Sequence, residues 1–186
     1  MSTAGVLLAA GRGSRFKGEA HKLLVPFRGR PLVSWAIDAV MGAGLDDVFV
    51  VTGKVVLGHD LIPEPARIVH NPLWVNGLAS SLQVGLAAAE ERDHDAVVVG
   101  LGDQPLIPVD AWRAVAASES SIAVATYEGQ RRNPVRLHRS VWKALPTVGD
   151  EGARILMRER PDLVSEVPCG GEPADVDTLE DLDTWS

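Results

Sequence analysis

Short β-type runs alternate along the chain with segments in which apolar residues return every third or fourth place. The runs are GVLLA (5–9), DVFVVT (47–52), RIVHN (67–71) and AVVVGL (96–101). Strands that are apolar throughout suit a parallel sheet covered by helices on both faces. Between the runs, Leu32, Trp35, Ala36, Ala39, Val40 and Ala43 fall on one side of a helix that Pro31 opens and Gly44 closes. A second helix is predicted over about residues 80–91, striped by Leu82, Leu86 and Ala89 and ending in the polar Glu90, Glu91 and Arg92. This order predicts a three-layer α/β/α sandwich with a mainly parallel sheet. After Tyr127 the rhythm changes: EGQRRNPVRL reads as a hairpin arm, and GDEGARILMRE as a helix with Asp150 as its N-cap. The stretch 52–64 is short for a full strand-helix unit and predicts a trimmed edge.

Length and composition narrow the classes. At 186 residues, without a low-complexity tract or linker, residues 1–186 read as one domain. A hydrophobic content of 46% and a net charge of -7 describe an acidic globule, which argues against a broad nucleic-acid surface but leaves room for a local basic pocket. The single cysteine, Cys169, excludes an internal disulfide, and the five histidines show no metal-ligand spacing. No apolar run reaches the length of a membrane span and no signal segment is evident, so a cytoplasmic setting without membrane attachment is expected.

The first run leads straight into LAAGRGSRF, which carries the clearest chemistry. Gly11 and Gly13 let backbone N–H groups approach a polyanion, and Arg12, Arg15 and Lys22 add charge that suits phosphate. Neither the dinucleotide fingerprint nor the P-loop spacing is met, because Phe16 stands where a third glycine is required and Gly-Lys-Ser/Thr is absent. Beyond the fourth run, LGDQP places Asp103 where strands of such sheets present ligands, with Gly102 permitting the turn. A carboxylate there suits Mg²⁺, which takes one or two carboxylates plus substrate phosphates; a turn aspartate bonded to its own backbone is the alternative. ADVDTLEDL offers a second carboxylate, Asp175 or Asp177, on what reads as a strand end entering a helix, with helix capping as the competing role. Ser80 and Ser81, in NPLWVNGLASSL, read either as caps of the second helix or as lining for an anion at its start. GxSxG is absent, which disfavours a hydrolase triad.

LAAGRGSRF with Lys22, VVTG (50–53), NPLWVNGLASSL, LGDQP, RRNPVRL, GDEGARIL and DVDTLEDL together resemble the nucleotidyltransferase family of the molybdenum cofactor, in order and over nearly the whole chain. The resemblance implies a Rossmann-like nucleotidyltransferase fold and Mg²⁺-dependent transfer of a nucleoside monophosphate to the phosphate of molybdopterin, with release of pyrophosphate. LAAG, with Ala10, is similar to the cytidylyl branch and LAGG to the guanylyl branch, which favours CTP over GTP. By the same resemblance Leu8, Ala9, Ala10, Gly11, Gly13, Arg15, Lys22, Thr52, Gly53, Ser80 and Gly102 would hold the nucleotide. Asp103 and Asp177 would hold the metal, and Arg15, Lys22 and Asp103 would carry the catalysis. Asn76, Ser81, Asn133, Pro134 and Arg154 would face the acceptor, and a molybdenum hydroxylase would receive the product. Two positions depart from the family pattern: the spacing from Arg15 to Lys22 is long, leaving Lys17 as an alternative lysine, and Arg132 stands where members often carry glycine. Three other readings stay open. They are transfer to another phosphorylated acceptor such as a sugar phosphate, a non-catalytic nucleotide-binding partner protein, and NAD(P)H-dependent reduction of a small quinone-like pigment, an activity associated with some chains of similar sequence.

Overall fold

The structure, a computed structural model, describes residues 1–11, 13, 16 and 21–185. Its strands are β1 (Thr3–Ala9), β2 (Pro26–Phe27), β3 (Arg30–Pro31), β4 (Asp47–Thr52), β5 (Arg67–His70), β6 (Ala96–Leu101), β7 (Ile122–Tyr127), β8 (Gln130–His138) and β9 (Val164–Pro168). Its α-helices are α1 (Leu32–Gly42), α2 (Leu78–Glu90), α3 (Val109–Ala116), α4 (Arg154–Glu159) and α5 (Leu179–Trp185). Seven strands form one sheet in the order β5-β4-β1-β6-β8-β7-β9. All run parallel except β8, which is antiparallel to both β6 and β7.

The all-apolar strands are explained by two cores, one on each face. Leu7 and Ala9 of β1, Val48 and Val50 of β4 and Val98 of β6 pack with α1 and α3; Val6, Leu8, Phe49, Val51, Val97 and Val99 pack with α2 and α4. Period-two geometry sends successive side chains to opposite layers, so a strand buried on both faces shows no alternation of polar and apolar positions. The three-layer architecture follows. Between β4 and β5, residues 53–66 hold no helix among the described residues, matching the short spacing there. No helix of the described residues is long and apolar enough to cross a membrane.

Two local expectations are corrected. Asp150 does not cap α4, which starts at Arg154 after Ala153. Gly149 and Gly152 take positive φ (93° and 52°), placing a turn between, and the Asp150 carboxylate accepts instead from Leu78 N at the start of α2 (3.2 Å). Residues 169–178 form no strand leading into α5. Thr178 and Asp181 cap α5 reciprocally, Thr178 N donating to Asp181 Oδ2 (2.8 Å) and Asp181 N to Thr178 Oγ1 (3.1 Å), so the capping role falls beside Asp177 rather than on it.

Candidate active site

The chain passes from β1 to β4 on one side of β1 and later to β6 on the other, so the connections diverge around the carboxyl ends of β1 and β6. Ligands of open α/β sheets bind at such a switch point. A cleft of about 990 Å³ opens there, bounded by Ala9, Ala10, Gly11 and Gly13 on one side and by Asp103 and Asp177 on another.

Gly13 has φ +62°, a conformation that glycine adopts without cost, whereas a Cβ on Gly11 would meet nothing within 4 Å. The fold therefore has no steric need for glycine at position 11, and the bare backbone there faces the cleft. His21 braces this turn. Its Nδ1 accepts from Leu23 N (3.4 Å), which places the ring proton on Nε2 for donation to Gly11 O (3.2 Å). Burial holds the ring below the ordinary histidine value of 6.5, against the opposing effect of the Gly11 bond. Because burial depresses the folded pKa, the stability of the neutral ring is complete above the unfolded value and is lost as pH falls below about 6.5, where Nδ1 gains a proton and no longer accepts from Leu23 N while Nε2 still donates to Gly11 O. Thermal unfolding of the native protein should thus lose more stability between about pH 7.5 and 5.5 than H21Q does, with the two profiles parallel if the ring is not held neutral by burial. Arg15 and Lys17 lie outside the described residues.

Lys22 sits at the centre of the site. Its residue is 7% exposed, and Nζ donates to Asp103 Oδ2 (2.5 Å) and Asp177 Oδ1 (2.8 Å). Burial alone would lower its pKa, but the two carboxylates outweigh that and hold the ammonium above its usual range. Asp103 reaches this point because Gly102 N donates to Leu8 O (3.0 Å) at the end of β1, and Val176 N donates to Asp103 O (3.0 Å), which draws the 175–177 segment alongside. The pair Asp103 and Asp177 offers two carboxylates rather than a complete cage: among the described residues no three His, Cys, Asp or Glu side chains converge as a metal site. That donor set fits Mg²⁺, whose remaining positions are filled by water and substrate phosphate.

Neither serine is the N-cap of the second helix, a place that Gly77 takes. α2 begins at Leu78, and Ser80 and Ser81 lie inside it. The first N–H groups are taken by the neighbouring loop, Leu78 N by Asp150 and Ala79 N by Gly149 O (2.9 Å), so they are not presented to an anion. Buried Asn71 donates to Ser80 Oγ (3.0 Å) and Ser81 Oγ (2.9 Å), and Ser80 Oγ bonds Leu73 O and Gly77 O, locking the 71–77 loop onto α2. Ser81 lines the cleft and Ser80 lies behind it. Thr52, Gly53, Gly102 and Pro134 also stand outside the lining; a Cβ on Gly53 would come within 2.8 Å of Ala10 Cβ, so Gly53 supports the loop from behind.

Of the residues expected to face the acceptor, Asn76, Ser81, Asn133 and Arg154 line the cleft, with Leu8 and Leu82 in its apolar floor. Sequence reasoning misses Gln104 and Arg131. Gln104, 3% exposed, ties Asn133 to Asp175 and is signalled only by its place in LGDQP. Arg131 also lines the cleft, with Nε on Glu166 Oε1 (2.8 Å). The arrangement combines bare backbone at Gly11 and Gly13, a buried ammonium and paired carboxylates, which suits charge stabilisation at a phosphate chain.

The MobA-like NTP transferase domain matches residues 5–164. Nicotine blue oxidoreductase of Paenarthrobacter nicotinovorans is 35% identical, over 96% of this chain and 93% of its own. The bifunctional protein GlmU of Sinorhizobium fredii is 28% identical over 87% of this chain, which spans only 34% of that relative's length. Among solved structures, Rv0371c of Mycobacterium tuberculosis superposes with a TM-score of 0.81 at 28% identity, covering 99% of this chain and 96% of that one. The same protein, solved in complex with manganese, gives 0.80 at 26% identity, covering 100% and 98%. The match spans both the phosphate loop and the Asp103 turn, and the chain therefore belongs to the MobA-like NTP transferase family and is a nucleotidyltransferase.

Proposed function

We propose that the protein transfers CMP from CTP to the phosphate of molybdopterin in a Mg²⁺-dependent reaction that releases pyrophosphate. The observation that carries this reading is the meeting of Lys22, Asp103 and Asp177 beside the glycine loop at the sheet's switch point. Ala10, buried and lining the cleft, supports cytosine through its match to the cytidylyl pattern.

Each residue then has a task. The backbone around Gly11 and Gly13, with Arg15, holds the triphosphate in line, so that an oxygen of the acceptor phosphate forms the new bond to the α-phosphorus as the bond to pyrophosphate breaks. Asp103 and Asp177 would hold Mg²⁺, which when bound would supply positive charge to the α-phosphate and the departing oxygens. Lys22 turns its ammonium from the carboxylates to the phosphates as they arrive. Asn76, Ser81, Asn133 and Arg154 orient the acceptor, and a molybdenum hydroxylase takes the product. Pyrophosphate release, measured with CTP, GTP, ATP and UTP in turn, should be fastest with CTP and require both Mg²⁺ and molybdopterin. Equal release with a sugar phosphate as acceptor would transfer the assignment to that class.

A second reading rests on the likeness to nicotine blue oxidoreductase over nearly the full chain. It takes the apolar floor of the cleft as the seat of a planar pigment reduced by NAD(P)H. NAD(P)H oxidation matched by reduction of an added quinone-like pigment, in the absence of divalent metal, would support it; an unchanged absorbance of both would remove it.

A further inference from the structure

Three polar side chains from separate parts of the chain form a relay whose direction is fixed at one end. Gln104 is buried, and its Nε2 lies 3.2 Å from Pro173 O and 2.7 Å from Asp175 Oδ1. A backbone carbonyl only accepts, so the end of the Gln104 amide that faces Pro173 is the NH₂ end. Its Oε1 is consequently turned toward Asn133, and that oxygen in turn requires a donor, which Asn133 Nδ2 supplies at 3.0 Å. Amide orientation is thereby set by chemistry along the whole chain of contacts. With one Nδ2 hydrogen held by Gln104 Oε1, Asn133 cannot exchange the two ends of its amide, and its carbonyl Oδ1 stays an acceptor in the cleft that it lines.

We propose that Gln104 is a positioning residue that locks Asn133 with its Oδ1 toward the acceptor subsite, so that the acceptor must present a hydrogen-bond donor, an N–H or O–H group, at this point. The inference rests on the transferase reading for the word acceptor. It adds a polarity preference that neither the reaction nor the fold demands: a group bearing only lone pairs would leave Asn133 Oδ1 without a donor, which costs affinity relative to a group that supplies one. Gln104 does not touch the acceptor in this scheme; it acts through Asn133.

The test uses the full-length protein saturated with Mg²⁺ and a non-hydrolysable CTP analogue, whose own binding is measured first. Failure of the analogue to bind would count against the transferase reading and is read separately. Two flat probes are then titrated by calorimetry: isocytosine, which presents N–H donors, and dimethoxypyrimidine, which presents only acceptors. Native protein should prefer isocytosine by about tenfold. Asn133→Leu should abolish the preference, whereas Asn133→Asp, which keeps an oxygen toward the cleft, should retain it. Gln104→Met should bring the ratio toward one by freeing Asn133 to turn either end outward, with affinity for the CTP analogue unchanged. A preference that survives both Asn133→Leu and Gln104→Met would overturn the proposal, as would equal binding of the two probes by the native protein.

Discussion

Asp103→Asn is expected to lower kcat by about three orders of magnitude, the scale of the several kcal/mol of charge stabilisation that a bound divalent ion contributes to a phosphoryl transition state. The substitution is nearly isosteric, so its effect is one of charge. The amide that replaces the carboxylate would still offer an oxygen to Lys22, and Asp177 would keep its own contact to the same ammonium at 2.8 Å. The backbone bonds that build the turn, Gly102 N to Leu8 O and Val176 N to Asp103 O, do not involve the changed atom. Thermal stability should therefore stay close to that of the native protein while turnover collapses, a combination that steady-state pyrophosphate release and calorimetric unfolding would reveal together. If turnover persisted within tenfold, Asp103 would not be holding the metal. A non-catalytic nucleotide-binding role instead requires that ligand binding and cellular function survive this substitution intact.

Lys22→Met has a larger effect on the protein itself, with signs that distinguish its two roles. Removing the ammonium leaves Asp103 and Asp177 facing each other with side chains only 19% and 16% exposed. Breaking a buried ion pair in this way costs on the order of 3–5 kcal/mol, at the lower end here because the carboxylates retain some solvent. The variant should unfold at a lower temperature. It should also regain stability on addition of Mn²⁺, because a divalent cation and the Lys22 ammonium seek the same oxygens. In the absence of nucleotide, Mn²⁺ should bind the variant more tightly than the native protein, by about tenfold, as followed by electron paramagnetic resonance. Turnover should nevertheless fall by about a hundredfold, since the phosphates lose a preorganised positive partner. Unchanged Mn²⁺ affinity would mean that Lys22 and the metal do not share a site.

The parts of this molecule legible in the sequence are those governed by local periodicity. DVFVVT and AVVVGL coincide with β4 and β6, because strands buried on both faces are apolar over most of their length and stop where the chain turns. The glycine loop and LGDQP are legible together because both follow such strands, and topology then brings them to one cleft. Long-range partners are not legible. Asp150 looks like a cap for the helix that follows it, and only the turn at Gly149 and Gly152 sends its carboxylate to Leu78 instead. Asp177 looks like a cap as well, until Thr178 and Asp181 are seen to satisfy the start of α5 between themselves. Ser80 and Ser81 read as residues of a helix end, but the helix begins earlier, held at Leu78 by a carboxylate 72 residues away, and Asn71 claims both hydroxyls. Gln104 is visible in its motif without a role, since its partners Asn133 and Asp175 are 29 and 71 residues distant.

The most direct test of the proposed activity follows the fate of the α-phosphate. CTP labelled at that position is incubated with the protein, Mg²⁺ and molybdopterin, and the label is traced after separation of products. The account requires label to appear in the acceptor in equal amount with the pyrophosphate released, and to be absent when the Asp103→Asn variant replaces the native protein. Label that remains in CTP or emerges as free CMP, with none in molybdopterin, would contradict it.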